Sequence, residues 1–275
     1  MEKTSCPKSI FFCGGSWGCV VYIGIYKAII ERWGKECLDK IKFGGNSSGA
    51  MVATLFALGI DIQGAEEIYK FLANKAKNEG VFMKMSNYHI EALNKVFKNG
   101  DEYKRLNNRL FIGVTYYFND YKVISEWESN SDLLDTLHAS FHIPFYCNYT
   151  KKTKYGIGID GCVGRNYHMI DKDTIIIGCK TKQADIICNP PIKFSDCITP
   201  FIDNYDEIFS KGYNTMMKWD GKVNNNKLNE TTKSKMLIML LWCLRYMEEL
   251  SIYSIIKNIK FYVKNILTYL LKKFD

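Results

Sequence analysis

Proline is scarce in this 275-residue sequence, at five residues, and histidine is scarcer still, at four. So little proline excludes a proline-rich linker or an extended polyproline architecture, and 47% hydrophobic against 24% charged residues excludes a disordered chain. Runs long enough to cross a bilayer are missing as well. The most apolar stretch, Met236 to Leu244, is broken by Arg245, Glu248 and Glu249 before the roughly 18 residues that spanning needs. The first residues, MEKTSCPKSIFFCGG, hold only a four-residue apolar run, so no secretory leader is expected. The ten cysteines are scattered from Cys6 to Cys243 without a single CxxC pair, which excludes zinc-ribbon and thioredoxin-type chemistry. Reduced thiols and an intracellular, cytoplasmic location are the expectation. A formal charge of +8 points to an anionic partner, but five lysines against one acid fall after Leu250. The basic character belongs in large part to the tail.

What is present reads as alternating strands and helices. SIFFC (9–13) is β-prone, closes on Gly14-Gly15, and leads into apolar residues at helical spacing through Trp33. IKF (41–43) repeats the order, passing through Gly44-Gly45 and Asn46-Ser47-Ser48-Gly49 into AMVATLFALGI, a buried helix ending at Gly59. Asp61 or Gln63 starts a helix to about Lys77, and 87–98 forms another. The period then changes: 110–117 and 121–127 read as paired strands across a short turn. Ser131 caps a helix through His142 that Pro144 ends. Strands follow at 155–160, 173–179 and 184–188, then a helix at 203–218. The fold class is α/β. The asparagine- and lysine-rich segment 221–230 divides a domain of residues 1–220 from a tail of residues 221–275. In that tail Ile255, Ile256, Ile259, Val263, Ile266, Leu267 and Leu270 recur at helical spacing, with the lysines largely on other faces. Such a basic amphipathic helix suits either a membrane interface or the protein's own core.

Gly45-Asn46-Ser47-Ser48-Gly49 is a GxSxG pattern between a strand and a helix, the setting in which it exposes a strained serine hydroxyl and aims helix amides at developing negative charge. The bland alternative is a serine that only caps the helix. A nucleophilic serine needs a base. His89 reads as part of a surface helix, His138 and His142 flank a helix end, and His168 follows a turn. None has a recognisable strand-end setting. Asp160, at the close of YGIGID and before Gly161, does, although a simple aspartate-glycine turn explains the spacing equally well.

Together these blocks resemble the patatin-like phospholipases. FCGGSWGCVVYIG is similar to that family's N-terminal glycine-rich loop and helix, GNSSGAMVATLFALG to its nucleophile elbow, HASFHIPFY to its helix end leading to IPF, and IDG (159–161) to its aspartate-glycine motif. The resemblance implies a three-layer α/β/α fold with a mostly parallel central sheet. It implies Ser47 as nucleophile and Asp160 as base of a histidine-free dyad, with backbone amides of Gly14, Gly15, Ser16 and Ser48 as an oxyanion hole. It also implies a phospholipid or related acyl-lipid substrate and neither cofactor nor metal. The glycine loop departs from the family's usual GGGxRG: Ser16 replaces the third glycine, Gly18 the basic residue and Cys19 the last glycine. Three readings compete. They are a phospholipase A or lysophospholipase type of lipid acyl hydrolase, peripherally bound to membrane through its tail; a catalytically silent lipid-binding protein; and a histidine-dependent serine hydrolase. Nucleic-acid binding is disfavoured, because the lysines follow an amphipathic stripe rather than an aromatic-basic surface.

Overall fold

Ser9–Phe12 forms β1, whose four residues are all buried, a pattern that only a strand covered on both faces sustains. Alternation along it divides the interior. Ile10 and Phe12 join the large core, while Phe11 and Cys13 join a small second core with Tyr167, Ile176 and Ala184. The computed structural model describes residues 5–116, 120–144, 146–147, 152–179, 181–190, 200 and 204–223. The tail beyond Val223, with its amphipathic pattern, lies outside the described residues.

The remaining strands are β2 (Lys42–Asn46), β3 (Leu110–Tyr116), β4 (Asp120–Ile124), β5 (Lys152–Thr153), β6 (Gly156–Ile157), β7 (Ile175–Gly178) and β8 (Ile186–Ile187). Six of them make one sheet in the order β4-β3-β2-β1-β7-β8. Every pairing is parallel except β3 with β4, which pair antiparallel from Ile112 opposite Ile124 to Tyr116 opposite Asp120. The fold is therefore mixed α/β with a mostly parallel sheet flanked by helices, as expected.

On the large-core side lie α1 (Val20–Trp33), α2 (Ser48–Ala57), α3 (Ile62–Glu79), α4 (Met85–Asn94), α6 (Asn130–Ser140) and α8 (Tyr205–Lys218), with the short α5 (Glu102–Leu106) before β3. The predicted cap at Asp61 is present: its carboxylate accepts the Gly64 N–H at 2.8 Å. The helix predicted to be capped by Ser131 is instead capped two residues earlier, because Ser129 is the residue whose hydroxyl accepts an N–H, that of Asp132 at 3.1 Å. Phe56 anchors the packing of α2, stacked 3.7 Å from Tyr26 and edge-on to Phe12 and Phe43. Two glycines bring α1 and α8 together: a Cβ on Gly24 would strike the Phe209 carbonyl, and one on Gly212 the Val21 carbonyl. The opposite face carries α7 (Gly161–Gly164), whose Gly164 packs on Thr115 of β3, and the residues after it, among them Tyr167, Met169 and Ile170.

Two further expectations are corrected. Residues 155–160 are not a strand of the main sheet; Gly156–Ile157 pairs only with β5, and Ile159 makes an isolated bridge to Thr115. Glycine at 156 with φ of 111° and at 158 leaves too little β-forming side chain to sustain a longer strand. Cys6 and Cys37 are disulfide-bonded, contrary to the expectation of reduced thiols throughout. A separation of 31 residues carries no pairing signal in a sequence.

Candidate active site

The site forms at the carboxyl ends of β1, β2 and β3, where open parallel sheets leave a crevice. At the end of β2 the backbone turns through Ser47 at φ 53° and ψ −134°, then enters α2 at Ser48. A positive φ for a serine costs on the order of 1 kcal/mol or more and persists only where neighbours enforce it. The flanking glycines make the turn possible. A Cβ on Gly45 would fall on the backbone of Gly49, and one on Gly49 would fall on the Phe12 carbonyl. Both glycines of the pattern are thus required by close approach of backbone to backbone.

Two side chains brace the turn. Ser140, fully buried at the end of α6, accepts the Ser47 N–H at 3.1 Å and donates to the Gly113 carbonyl of β3 at 2.8 Å. Asn46 is buried with both ends of its amide satisfied: it donates to the Arg165 carbonyl at 2.7 Å and accepts the Tyr121 hydroxyl at 2.9 Å. Sequence reading singled out neither residue. Asn46 is the variable position of the GxSxG pattern, and Ser140 lay inside the HASFHIPFY block without a role.

Asp160 is buried, 6% exposed, and held through its whole backbone: its N–H donates to the His142 carbonyl at 3.0 Å and its carbonyl accepts the Thr115 hydroxyl at 2.9 Å. Its carboxylate caps α7 by accepting the Cys162 N–H at 2.8 Å. The turn it begins packs against the serine turn. A Cβ on Gly161 would meet Asn46 Cγ at 3.1 Å. One on Gly14 would fall on Cys162 Sγ and lie 3.1 Å from Ser47 Cβ. Gly14, Ser47 and Cys162 therefore share one small space, and the Asp160 turn forms its wall. Among the described residues the Ser47 hydroxyl has no hydrogen-bond partner, so no bond joins it to Asp160 here.

The glycine loop runs from Gly14 into a 3-10 turn at Ser16–Cys19. Ser16, standing where the family pattern has glycine, adopts φ 49°. The Gly15 N–H donates to Ser48 Oγ at 3.0 Å, while the Gly14 and Ser48 N–H groups have no acceptor among the described residues. Those two amides flank Ser47, and Ser48 opens the ten-residue α2, whose dipole favours negative charge at that end.

Beside the serine opens a cavity with about 590 Å³ of empty space, part of it continuous with solvent. Its walls are mostly apolar and include Trp17, Met51, Leu72, Met85, Phe141 and Ile143. Trp17 is fixed by its indole N–H, which donates to the Tyr146 hydroxyl at 2.8 Å, and it meets Tyr69 edge-on. Cys19, another departure from the loop pattern, lines the same space. Burial, reinforced by Cys179, pushes its thiol pKa up to about 12 and leaves it uncharged.

Of the four histidines, His89 falls elsewhere than the sequence suggested. His89 is not on a solvated face; it lines this cavity, and burial followed by the neighbouring His138 lowers its pKa to about 3. An imidazole that weakly basic is a poor acceptor for a serine proton. His138 and His142 are buried, and His168 is shifted down by burial and then by Arg165. Among the described residues no cluster of His, Cys, Asp and Glu suits a metal ion, and no helix is long and apolar enough to cross a membrane.

A strand, a serine at positive φ and a helix, opening on an apolar cavity beside outward amides, define the nucleophile-elbow class of α/β proteins. The chain belongs to the patatin-like phospholipase family, whose model matches residues 10–169. It is 26% identical over 208 residues to the omega-hydroxyceramide transacylase of Mus musculus, covering 72% of this chain and 33% of the relative. It is also 26% identical over 192 residues to the Homo sapiens protein of the same name, covering 66% and 35%. The chain thus spans about a third of the length of these relatives. Among solved structures it is similar to VipD from Legionella pneumophila, with a TM-score of 0.40 at 12% identity, covering 64% of this chain and 50% of that one. The type III effector protein ExoU gives 0.41 at 11% identity, covering 77% and 52%.

Proposed function

We propose that this protein cleaves fatty-acyl esters of phospholipids or related glycerolipids through an acyl-enzyme on Ser47. The observation that carries the reading is Ser47 itself, strained at φ 53° and placed on the wall of an apolar cavity. Ser47 Oγ adds to the ester carbonyl as its proton passes to the Asp160 carboxylate. The oxyanion is received by amides drawn from Gly14, Gly15, Ser16 and Ser48. The tetrahedral adduct expels the lipid alkoxide, which takes the proton from Asp160. Water, deprotonated by Asp160 in turn, then releases the fatty acid and restores Ser47. Support for the base comes from the packing of the Asp160–Cys162 turn against Ser47 and Gly14. Catalytic hydrogen bonds commonly tighten only with substrate bound. The Gly15 amide reaches an oxyanion only after releasing Ser48 Oγ, which makes Gly14 and Ser48 the leading donors.

A second reading is favoured by the relatives' name: acyl transfer from the same acyl-enzyme to a hydroxyl acceptor in place of water. A third keeps the fold as a silent lipid binder. A fluorophosphonate probe separates enzyme from binder, since labelling of wild type that vanishes in Ser47→Ala supports catalysis, and a folded but unlabelled wild type refutes it. Adding a long-chain alcohol and measuring wax ester against free acid separates transfer from hydrolysis.

Residues 1–220 are assigned as the catalytic part and 221–275 as a tail that seats it on a membrane surface from the cytoplasmic side. The Cys6–Cys37 disulfide is the observation that stands against a reducing compartment. Deleting 251–275 is expected to abolish flotation with liposomes, and unchanged flotation rejects the membrane role.

A further inference from the structure

The cavity beside Ser47 has a mostly apolar wall, and away from the glycine loop and elbow its polar side chains are His89, Tyr69 and Tyr146. His89, on α4, lines it with Met51, Leu72, Met85 and Phe141. Its Nδ1 is buried without a hydrogen-bond partner, and its ring stands edge-on to Phe141, with centroids 4.7 Å apart. The imidazole is held neutral, its pKa lowered to about 3, first by burial and then by His138. A neutral imidazole carries one donor and one acceptor. Left unmade, such a hydrogen bond is a net cost that leucine or phenylalanine would avoid at the same place. The other polar side chains on the wall have work elsewhere: Ser16, Ser47 and Ser48 belong to the loop and elbow, the Tyr146 hydroxyl holds the Trp17 indole N–H, and Tyr69 packs its ring between Trp17 and Tyr205.

We infer that the cavity takes an acyl chain bearing a hydroxyl part-way along its length, and that His89 is the residue that recognises it. The inference rests on the reading of this cavity as the acyl site of Ser47. A hydroxyl both donates and accepts, so it satisfies the imidazole in either tautomer, whereas an ether or carbonyl oxygen satisfies only the tautomer that presents its N–H. The surrounding carbon walls take the rest of the chain by burial alone, which discriminates poorly between chains. One polar contact in such a pocket is what sorts a hydroxylated chain from a plain one.

The test is displacement of a fluorescent fatty-acid analogue from the full chain by octadecanoic acid and by a series of hydroxyoctadecanoic acids with the hydroxyl at successive carbons. Wild type is expected to bind one member of the series roughly tenfold more tightly than the plain acid, the scale of one net hydrogen bond. His89→Leu and His89→Phe are expected to bind the plain acid at least as well and to lose the preference. Equal affinity of wild type for every acid overturns the inference, as does a preference that survives in both variants. Ester turnover is read separately. Absence of any cleavage would sink the Ser47 reading, while the displacement series still decides the role of His89.

Discussion

Removing the Ser140 hydroxyl should loosen the serine turn from behind. Ser140 is fully buried and makes two hydrogen bonds, from the Ser47 N–H at 3.1 Å and to the Gly113 carbonyl at 2.8 Å. Alanine there strands a buried carbonyl and a partly buried N–H, which together cost at least about 2 kcal/mol on the usual scale of 1–3 kcal/mol per unsatisfied group. In a domain of this size that lowers Tm by roughly 5–10 °C. The functional effect is separable from the stability effect. Freed from Ser140, Ser47 can relax from its positive φ, and a hydroxyl displaced by about 1 Å loses rate on the order of 100-fold. Leu133→Ala is the control, because it opens a cavity under the same helix, seven residues before Ser140, at a cost of about 2–5 kcal/mol and leaves the Ser140 hydroxyl in place. Thermal melts and fluorophosphonate labelling rates at 25 °C on wild type and both variants decide the matter. The expected pattern is a lowered Tm in both variants and slowed labelling only in Ser140→Ala. Ser140→Ala that melts with wild type and labels at the wild-type rate would refute the bracing role.

Gly24→Ala should destabilise by about 1–3 kcal/mol or more, because its Cβ would strike a backbone carbonyl of α8 that cannot move alone; a urea midpoint unchanged from wild type would contradict that packing. Acid should weaken the fold through two groups. His89 is neutral in the fold with its pKa lowered to about 3, so its contribution is intact above the ordinary histidine value and lost as pH falls from about 6.5 towards 3. For Glu102 burial alone would raise the pKa, but hydrogen bonds from the Asn99 N–H, the Asn130 side chain and the Lys98 N–H outweigh it and lower it to about 2, so its contribution is lost as pH falls from about 4.5 towards 2. Urea midpoints from pH 7 to 3 should therefore fall more steeply for wild type than for the His89→Leu, Glu102→Gln double variant, and parallel slopes would refute the assignment. Cys37→Ala, which opens a cross-link spanning 31 residues, should cost about 3.5 kcal/mol relative to the oxidised protein, and equal stability with and without reductant would show that the bond does not form.

The features legible in the sequence were those whose cause is local. Gly45 and Gly49 flank Ser47 because strand and helix meet there backbone to backbone, and the pattern names all three residues at once. Asp61 caps α3 for the reason its position suggested, and the β-prone runs at 9–13 and 173–179 became β1 and β7. The misreadings concern partners distant in sequence. Residues 155–160 looked like a strand of the sheet, but strand identity depends on what lies alongside, and only Ile159 makes a backbone bridge to β3. His89 looked solvent-facing because the helix repeat of α4 does not reveal that α6, with Phe141 at its end, covers that face. The bracing hydroxyl of Ser140 comes from 93 residues away, and the Cys6–Cys37 bond had no spacing to announce it. α5, at five residues, is too short for periodicity to register.

The central claim is tested most directly by measuring fatty acid released from a mixed phospholipid extract by wild type, Ser47→Ala and Asp160→Asn, each shown to be folded by its melt. Ser47→Ala and Asp160→Asn should each lose activity by about 1,000-fold or more, as expected of residues that act as one unit. Turnover by Asp160→Asn within a few fold of wild type would contradict the account and return the role of base to another group.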